Sequence, residues 1–347
     1  MIAATLSEVL LRQIPEHLMA DIRSGEVKVY GSIIRSVVSG QIVGHLQETS
    51  GFAKLGGIAL AAPASVPLAG VGLAVDLVGQ GVNYVQNEQI KAALDVVQNL
   101  QVANLTLGVV GIGVSVAGFA VLSAKINRIE ASVDAMADRL TQLASGADWL
   151  RHDRIAEDFT RLRTLAEQMD EGWTLMHPAS QWRQVATEAH SLANVFERRA
   201  SGFANDPADL LAVEPFVEAL ALAASLRVSA RLASGEDAAA GAAADEGAKC
   251  LIALGEHVSL SAAALRQMST DKAIVGSRDW GASLNDRVEA LRPVISLRRQ
   301  RELAAVSTSL TLAELRQQLI PGRAWLESAR SETDEPVICL LPVQPVA

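Results

Sequence analysis

Residues 102–124 read VANLTLGVVGIGVSVAGFAVLSA, 23 consecutive positions without a formal charge. As a helix this run would be about 34 Å long, enough to cross a hydrocarbon core of about 30 Å. It is apolar around its whole circumference, whereas the core helix of a soluble domain is normally amphipathic or short. Gly108, Gly111, Gly113 and Gly118 thin one side of it, as small residues do where membrane helices approach one another or where a hairpin folds back on itself.

Toward the N-terminus lies a second uncharged run of 21 residues, Leu55 to Val75, LGGIALAAPASVPLAGVGLAV, interrupted by Pro63 and Pro67. The connector between the runs, Asp76 to Gln101, is more polar and carries Ile90, Leu94 and Val97 at helical spacing, which suits an amphipathic segment. Two spans and a connector make a hairpin. Lys54 precedes it, and Lys125 with Arg128 follow it, while the connector sets only Lys91 against Asp76, Glu88 and Asp95. The positive-inside tendency therefore predicts both termini on the cytoplasmic side. The side chains expected to meet lipid are Leu60, Val71, Leu73, Leu107, Val110, Ile112, Val116, Phe119 and Val121.

Toward the C-terminus the helical register runs on. Leu122, Ile126, Ile129, Val133, Met136, Leu140 and Leu143 are separated by 4, 3, 4, 3, 4 and 3 residues, a heptad seam that predicts self-association. The same register traces back through Phe119, Ser115, Ile112, Gly108 and Leu105, so one helix is expected from Leu105 to Leu143, ending near Ser145-Gly146. The pairing of the apolar hairpin LGGIALAAPASVPLAGVGLAV and VANLTLGVVGIGVSVAGFAVLSA with the helix AKINRIEASVDAMADRLTQL resembles α-helical pore-forming toxins over residues 51–145. That resemblance implies a protein that oligomerises, inserts its hairpin and permeabilises a bilayer. With no secretory signal expected from MIAATLSEVLLRQIPEHL, the target implied is the producer's own inner membrane, as for membrane effectors of bacterial defence systems.

The flanking regions read differently. Residues 14–25 predict a short helix, with Pro15 in its first turn and Gly25 at its end. The β-branched stretch from Glu26 to Val38, the Ser39-Gly40 turn and Gln41 to Leu46 predict a two-stranded hairpin, packed on the helical body or added to a neighbouring subunit's sheet. From Trp149 to Arg330, breaks at Gly172, Pro178, Gly202 to Pro207, Ser234-Gly235, Gly255, Gly276 to Gly281, Pro293 and Pro321-Gly322 predict five to seven helices. A long helix to Ala233 is expected after Asp206-Pro207, and the AAAGAAA stretch at 238–244 would let the next helix approach a neighbour closely. Pro336 to Ala347 suit a tail or an edge strand.

The predicted fold is therefore mainly α. An N-terminal helix plus β-hairpin occupies 1–50, the apolar helical hairpin 51–124, a coiled-coil extension 125–148, a C-terminal helical domain 149–330, and a tail or edge strand 331–347.

Composition narrows the function. Half the chain is apolar but only 4% is aromatic, which favours close helix-on-helix packing over a sandwich or barrel. A net charge of −9 and a pI near 5.3 argue against nucleic acid as a partner. Neither a phosphate loop nor a dinucleotide fingerprint is present, and the glycines of Gly70-Gly72 and Gly111-Gly113 fit helix packing better. The histidines (His17, His45, His152, His177, His190, His257) are dispersed and fit no local catalytic or metal motif. Cys250 and Cys339 lack metal or redox spacing and read as two buried thiols. Arg151-His152-Asp153-Arg154 reads as a solvated charge cluster, and Arg298, Arg299 and Arg301 as a solvated helix end or a contact for lipid headgroups or an acidic partner. Glu167, Asp170 and Glu171 would hold a cation only if other ligands converged on them.

No catalytic, cofactor or metal role is assigned. The expected partners are a lipid bilayer, further copies of the chain and a protein met through the C-terminal helices. Three readings of the hairpin stand beside one another: constitutive anchoring, conditional insertion, and a buried core or interface hairpin in a cytoplasmic scaffold.

Overall fold

The computed structural model describes residues 14–50, 147–204, 210–256, 258–270, 276, 278–333 and 337–342. The apolar runs, the residues expected to meet lipid and the heptad seam Leu122–Leu143 lie outside the described residues. What is described is mainly helical, with eight α-helices and a four-stranded antiparallel sheet.

Helix α1 (Glu16–Ser24) starts after Pro15 and stops at Gly25, whose left-handed φ of 82° lets its N–H reach Ile22 O and the next N–H reach Asp21 O. Strands β1 (Val27–Tyr30), β2 (Ile33–Ser36) and β3 (Ile42–Glu48) follow, and β4 (Val337–Leu340), from the far end of the chain, closes the sheet in the order β1-β2-β3-β4. The expected two-stranded hairpin is thus a three-stranded meander. The stretch Glu26–Val38 is not one strand, because it turns at Gly31 (φ 58°). The closing tail strand is an edge strand, as expected.

The sheet has two buried faces. Ile34, Leu46, Val337 and Cys339 pack with Leu18 of α1. Ile338 and Leu340 join the main helical core. Gly31 sets the sheet against a long helix: a Cβ there would fall 2.7 Å from Ala304 Cα and 2.8 Å from Leu303 O.

Seven helices lie between Ala147 and Ser331: α2 (Ala147–Glu171), α3 (Ala179–Ala204), α4 (Leu210–Ala233), α5 (Asp237–Glu256), α6 (Leu260–Thr270), α7 (Trp280–Gln317) and α8 (Gly322–Ser331). Helix α4 is central. Val213, Phe216, Val217, Leu220, Leu226 and Val228 are all buried, and they leave no single outward face, as expected of a helix covered on most sides. Helix α3 covers it with Trp182, Val185, Leu192 and Phe196, and α2 adds Phe159, Leu162 and Leu165, with the Phe159 and Phe196 rings 5.3 Å apart. The alanine-rich α5 packs closely: Ala240, Gly241, Ala243 and Ala244 are buried, and a Cβ on Gly247 would lie 3.2 Å from Ala224 Cβ.

One expected break is absent. Pro293 lies inside α7, which continues from Trp280 to Gln317. Tertiary packing on both sides of Pro293, through Leu291 and Val294, outweighs the lost backbone hydrogen bond, a penalty of about 3 kcal/mol in an unsupported helix.

Helix α7 ends on Leu319, the one non-glycine residue with positive φ (56°) among the described residues, where Leu319 N–H meets Arg316 O and Ile320 N–H meets Leu315 O. Leu319→Gly is expected to stabilise the fold by about 1 kcal/mol, because glycine occupies that conformation without strain. Gly31→Ala should cost about 1–3 kcal/mol through the opposite effect, overpacking at a left-handed position. Urea unfolding followed by tryptophan fluorescence reads both, and equal midpoints for the two variants would contradict this account.

Candidate functional site

Residues 51–146, which hold the two apolar runs and the heptad seam, fall in sequence between β3 and α2. The departure point is held tightly. Gln47, Glu48 and Thr49 are buried, and β3 pairs with β4 from His45↔Leu340 to Glu48↔Val337. Ser50 N–H donates to Ala329 O at 3.0 Å, and Trp325 Nε1–H donates to Gln47 Oε1 at 3.0 Å. Ala329 and Trp325 both belong to α8, which is therefore the clamp on the outgoing strand.

The same short helix holds the returning one. Arg330 Nη2 donates to Asp170 Oδ1 at 2.9 Å, and the Arg330 guanidinium stacks 5.0 Å from the Trp173 ring. Arg323 lies 5.3 Å over Trp182, whose Nε1–H donates to Met169 O. Gly172 makes room for that indole. In turn Asp237 at the start of α5 accepts the Gly322 N–H at 3.2 Å, which fixes where α8 begins. Because Asp170 sits near the C-terminal end of α2, the N-terminal end of that helix is about 35 Å away along its axis.

Two half-buried carboxylates and two buried guanidinium groups meet between α4 and α7. Arg298 Nη2 donates to Glu214 Oε2 at 2.9 Å, Arg301 Nη1 pairs with Glu214 Oε1, and Arg301 Nη2 reaches Glu218 Oε2 at 3.4 Å. Both arginine side chains are almost wholly inaccessible, at 3% and 2% exposure, which rules out the expected solvated helix end or lipid-headgroup contact for them. Arg299 alone of the three is partly exposed, and it pairs with Glu302 and the carbonyls of Gly255 and Val258.

A second polar cluster joins the sheet to α7. Ser32 N–H donates to Ser307 Oγ at 2.7 Å, Ser32 Oγ and Thr311 Oγ1 are 3.0 Å apart, and His45 Nδ1 lies 3.3 Å from Thr311 Oγ1. His45 Nε2 faces Glu314 Oε2 at 3.9 Å. Hydroxyl, imidazole and carboxylate thus fall in line, but Ser32, His45, Ser307 and Thr311 are all buried, and this arrangement is a packing joint between sheet and helix.

The remaining sequence candidates find ordinary places. Glu171 accepts from Gln181, Asp170 from Arg330, and no group of metal-ligating side chains converges among the described residues. His190 meets Arg227, which also pairs with Glu246. Both cysteines are free thiols whose pKa burial pushes up to about 12, with Cys339 buried and Cys250 half-buried. A cavity of about 30 Å³ between α4, α5 and α7 is far smaller than small-molecule sites, which run from about 300 Å³. Among the described residues no single helix is long and apolar enough to cross a membrane. Helices α5 and α6, bent by 48° at their junction, pass that test only as a pair, and α5 has Ala240, Ala243, Ala244 and Leu251 buried in the core.

No family model, curated protein or solved structure matches the chain.

Removing one member of this ion cluster should be destabilising. Arg301→Met is expected to cost about 1–3 kcal/mol, since it takes one of two guanidinium partners from the half-buried Glu214. Replacing Glu214 and Glu218 by Leu and both arginines by Met should recover most of that loss. Thermal melts of the two variants check the pair of outcomes, and a fully stable single variant contradicts the role given to Arg301.

Proposed function

We propose that this chain is a membrane-inserting, self-associating helical protein that perturbs or permeabilises a bacterial membrane without catalysis. The observation that carries the proposal is the pair of uncharged runs, 21 and 23 residues long, set in one internal segment. A run of that length without charge is costly to solvate and matches the thickness of a bilayer core. The described body supports this reading at the segment's N-terminal flank, where β4 and α8 pin β3 just before residue 51. In this reading residues 55–124 enter the bilayer, the seam from Leu122 to Leu143 drives association, and the helical body restrains the segment or receives a protein partner.

A second reading has the same residues in a different role. The hairpin and seam would then form the interface of a cytoplasmic scaffold, with no lipid involved, and the heptad spacing alone favours this.

The full chain, prepared without detergent, is mixed with anionic liposomes and followed by flotation and dye release. The membrane reading expects flotation with leakage, both lost in a variant lacking residues 55–124 and in the double variant Ile112→Asp, Phe119→Asp, with circular dichroism of the helical body unchanged. Leakage that survives the double variant overturns the insertion mechanism. A discrete soluble oligomer that neither floats nor leaks supports the scaffold.

A further inference from the structure

From the geometry of the sheet–helix contact we infer that the buried line Ser32–Ser307–Thr311–His45–Glu314 is an acid-sensitive joint, in which a proton taken up by His45 loosens the sheet from α7. This holds whether or not residues 55–124 enter a bilayer.

Proton counting along the line shows why. Ser307 Oγ donates to Ala304 O at 2.9 Å and accepts both the N–H and the O–H of Ser32. Thr311 Oγ1 has one proton and three acceptors within reach, Ser307 O at 3.0 Å, Ser32 Oγ at 3.0 Å and His45 Nδ1 at 3.3 Å. With that proton on Ser307 O, the neutral His45 ring donates from Nδ1 to Thr311 and turns the Nε2 lone pair toward Glu314; with it on Nδ1, a second ring proton breaks the Thr311 bond instead. The carboxylate is not free to answer a second proton. Its other oxygen accepts from Gln318 Nε2 at 2.6 Å, and the same amide nitrogen donates to Leu341 O, just beyond β4, at 3.0 Å. At 3.9 Å, Glu314 Oε2 is too far to hydrogen-bond to Nε2. Closing that gap draws Glu314 off Gln318 and slackens the hold on the end of β4. Leaving the gap open strands a cation in a site that is 2% exposed.

The surroundings of His45 supply little else. Glu314 is the acidic group that approaches it from α7. From β4 the Cys339 thiol reaches the His45 backbone, and its raised pKa of about 12 keeps it neutral. From β2 the cross-strand partner is the uncharged Ile33, with Ser32 in the turn just before it, and on β4 the cross-strand partner is Leu340. Burial, the larger influence, holds the imidazole below its ordinary 6.5, and the nearby Glu314 carboxylate offsets only part of this. The sign follows. The unfolded chain takes up a proton near 6.5 while the folded chain resists it, so the joint is at full strength above 6.5 and weakens as pH falls toward the lower folded value.

Urea unfolding of the full chain at about pH 7.5 and about pH 5.5 reads this, with a contribution from His45 of at most about tenfold in the unfolding constant per pH unit. His45→Gln should flatten the acid loss relative to the unmodified chain. Glu314→Gln should steepen it, because the one influence that raises the imidazole is gone. Hydrogen exchange, corrected for intrinsic rates, should rise at the lower pH in Ile33–Ser36, Ile42–Glu48 and Val337–Leu340 while α3 and α4 stay protected. Parallel acid loss in His45→Gln and the unmodified chain overturns the proposal, as does exchange that rises equally in α3 and α4. Should His45→Gln fail to fold, an NMR titration of the His45 ring in the unmodified chain decides: a midpoint clearly below 6.5 sustains the joint, and one at or above it refutes it.

Discussion

Burying α4 carries Glu214 and Glu218, half-buried, into its contact with α7, and the rest of the helical body is arranged around that requirement. The helix must be covered on most sides to hide Val213, Phe216, Val217 and Leu220, yet two carboxylates sit within the same two turns. A carboxylate left unpaired in such a place costs several kcal/mol. Arg298 and Arg301 supply the counter-charges from a single turn of α7, and the fork of a guanidinium lets both Glu214 oxygens and Glu218 Oε2 be met by a directed donor. This fixes the rotation and axial position of α7 against α4. It also explains the uninterrupted course of α7 through Pro293: the two arginines lie beyond the proline, and a kink there would carry them away from Glu214.

The sheet and α8 then tie the two ends of the chain to each other and to this core. Strand β3 precedes residue 51 and β4 lies near the C-terminus, so the antiparallel pair between them closes a loop of nearly the whole chain. Helix α8 bridges both sides of the internal segment, through Gln47 and Ser50 on one flank and Asp170 on the other. Helix α8 thus touches both the strand that precedes residue 51 and the far end of α2, a proximity that the order of elements along the chain hides.

Legibility in the sequence followed the range of the interaction. Where backbone conformation is set by neighbours a few residues away, the reading was sound: Pro15 and Gly25 bracket α1, Ser234-Gly235 ends α4 with a left-handed glycine, Pro321-Gly322 opens α8, and the C-terminal tail contributes an edge strand. The mainly helical class followed from composition and spacing. The turn at Gly31 escaped because its flanks, Val27 to Tyr30 and Ile33 to Ser36, are strand formers with no Asn-Gly between them, and the glycine is demanded by the approach of α7. The arginines escaped for the same reason. Their partners are 83 to 87 residues distant, and no local pattern distinguishes a basic run on a solvated helix from one buried against another helix. His45 and Glu314, each unremarkable alone, are brought within 3.9 Å by the sheet's seat on α7.

That seat raises the question of why a contact buried so completely is polar at all. Apolar side chains of similar volume at Ser32, Ser307 and Thr311 would bury as well and carry no hydrogen-bonding obligations. The seam on α7, Ser307, Thr311, Glu314 and Gln318, has spacings of 4, 3 and 4 residues, so it follows one face of the helix and meets the sheet along a line. A slide of the sheet by one residue along that line would leave several buried donors and acceptors unmatched at once, each costing about 1–3 kcal/mol. An apolar seam would tolerate the same slide with a change of packing alone. The polar line therefore specifies a single register for a small sheet whose strands, at four to seven residues, are too short to enforce one by pairing alone. The histidine in that line makes the register conditional, since the hydrogen bonds that define it depend on which of its two nitrogens holds a proton.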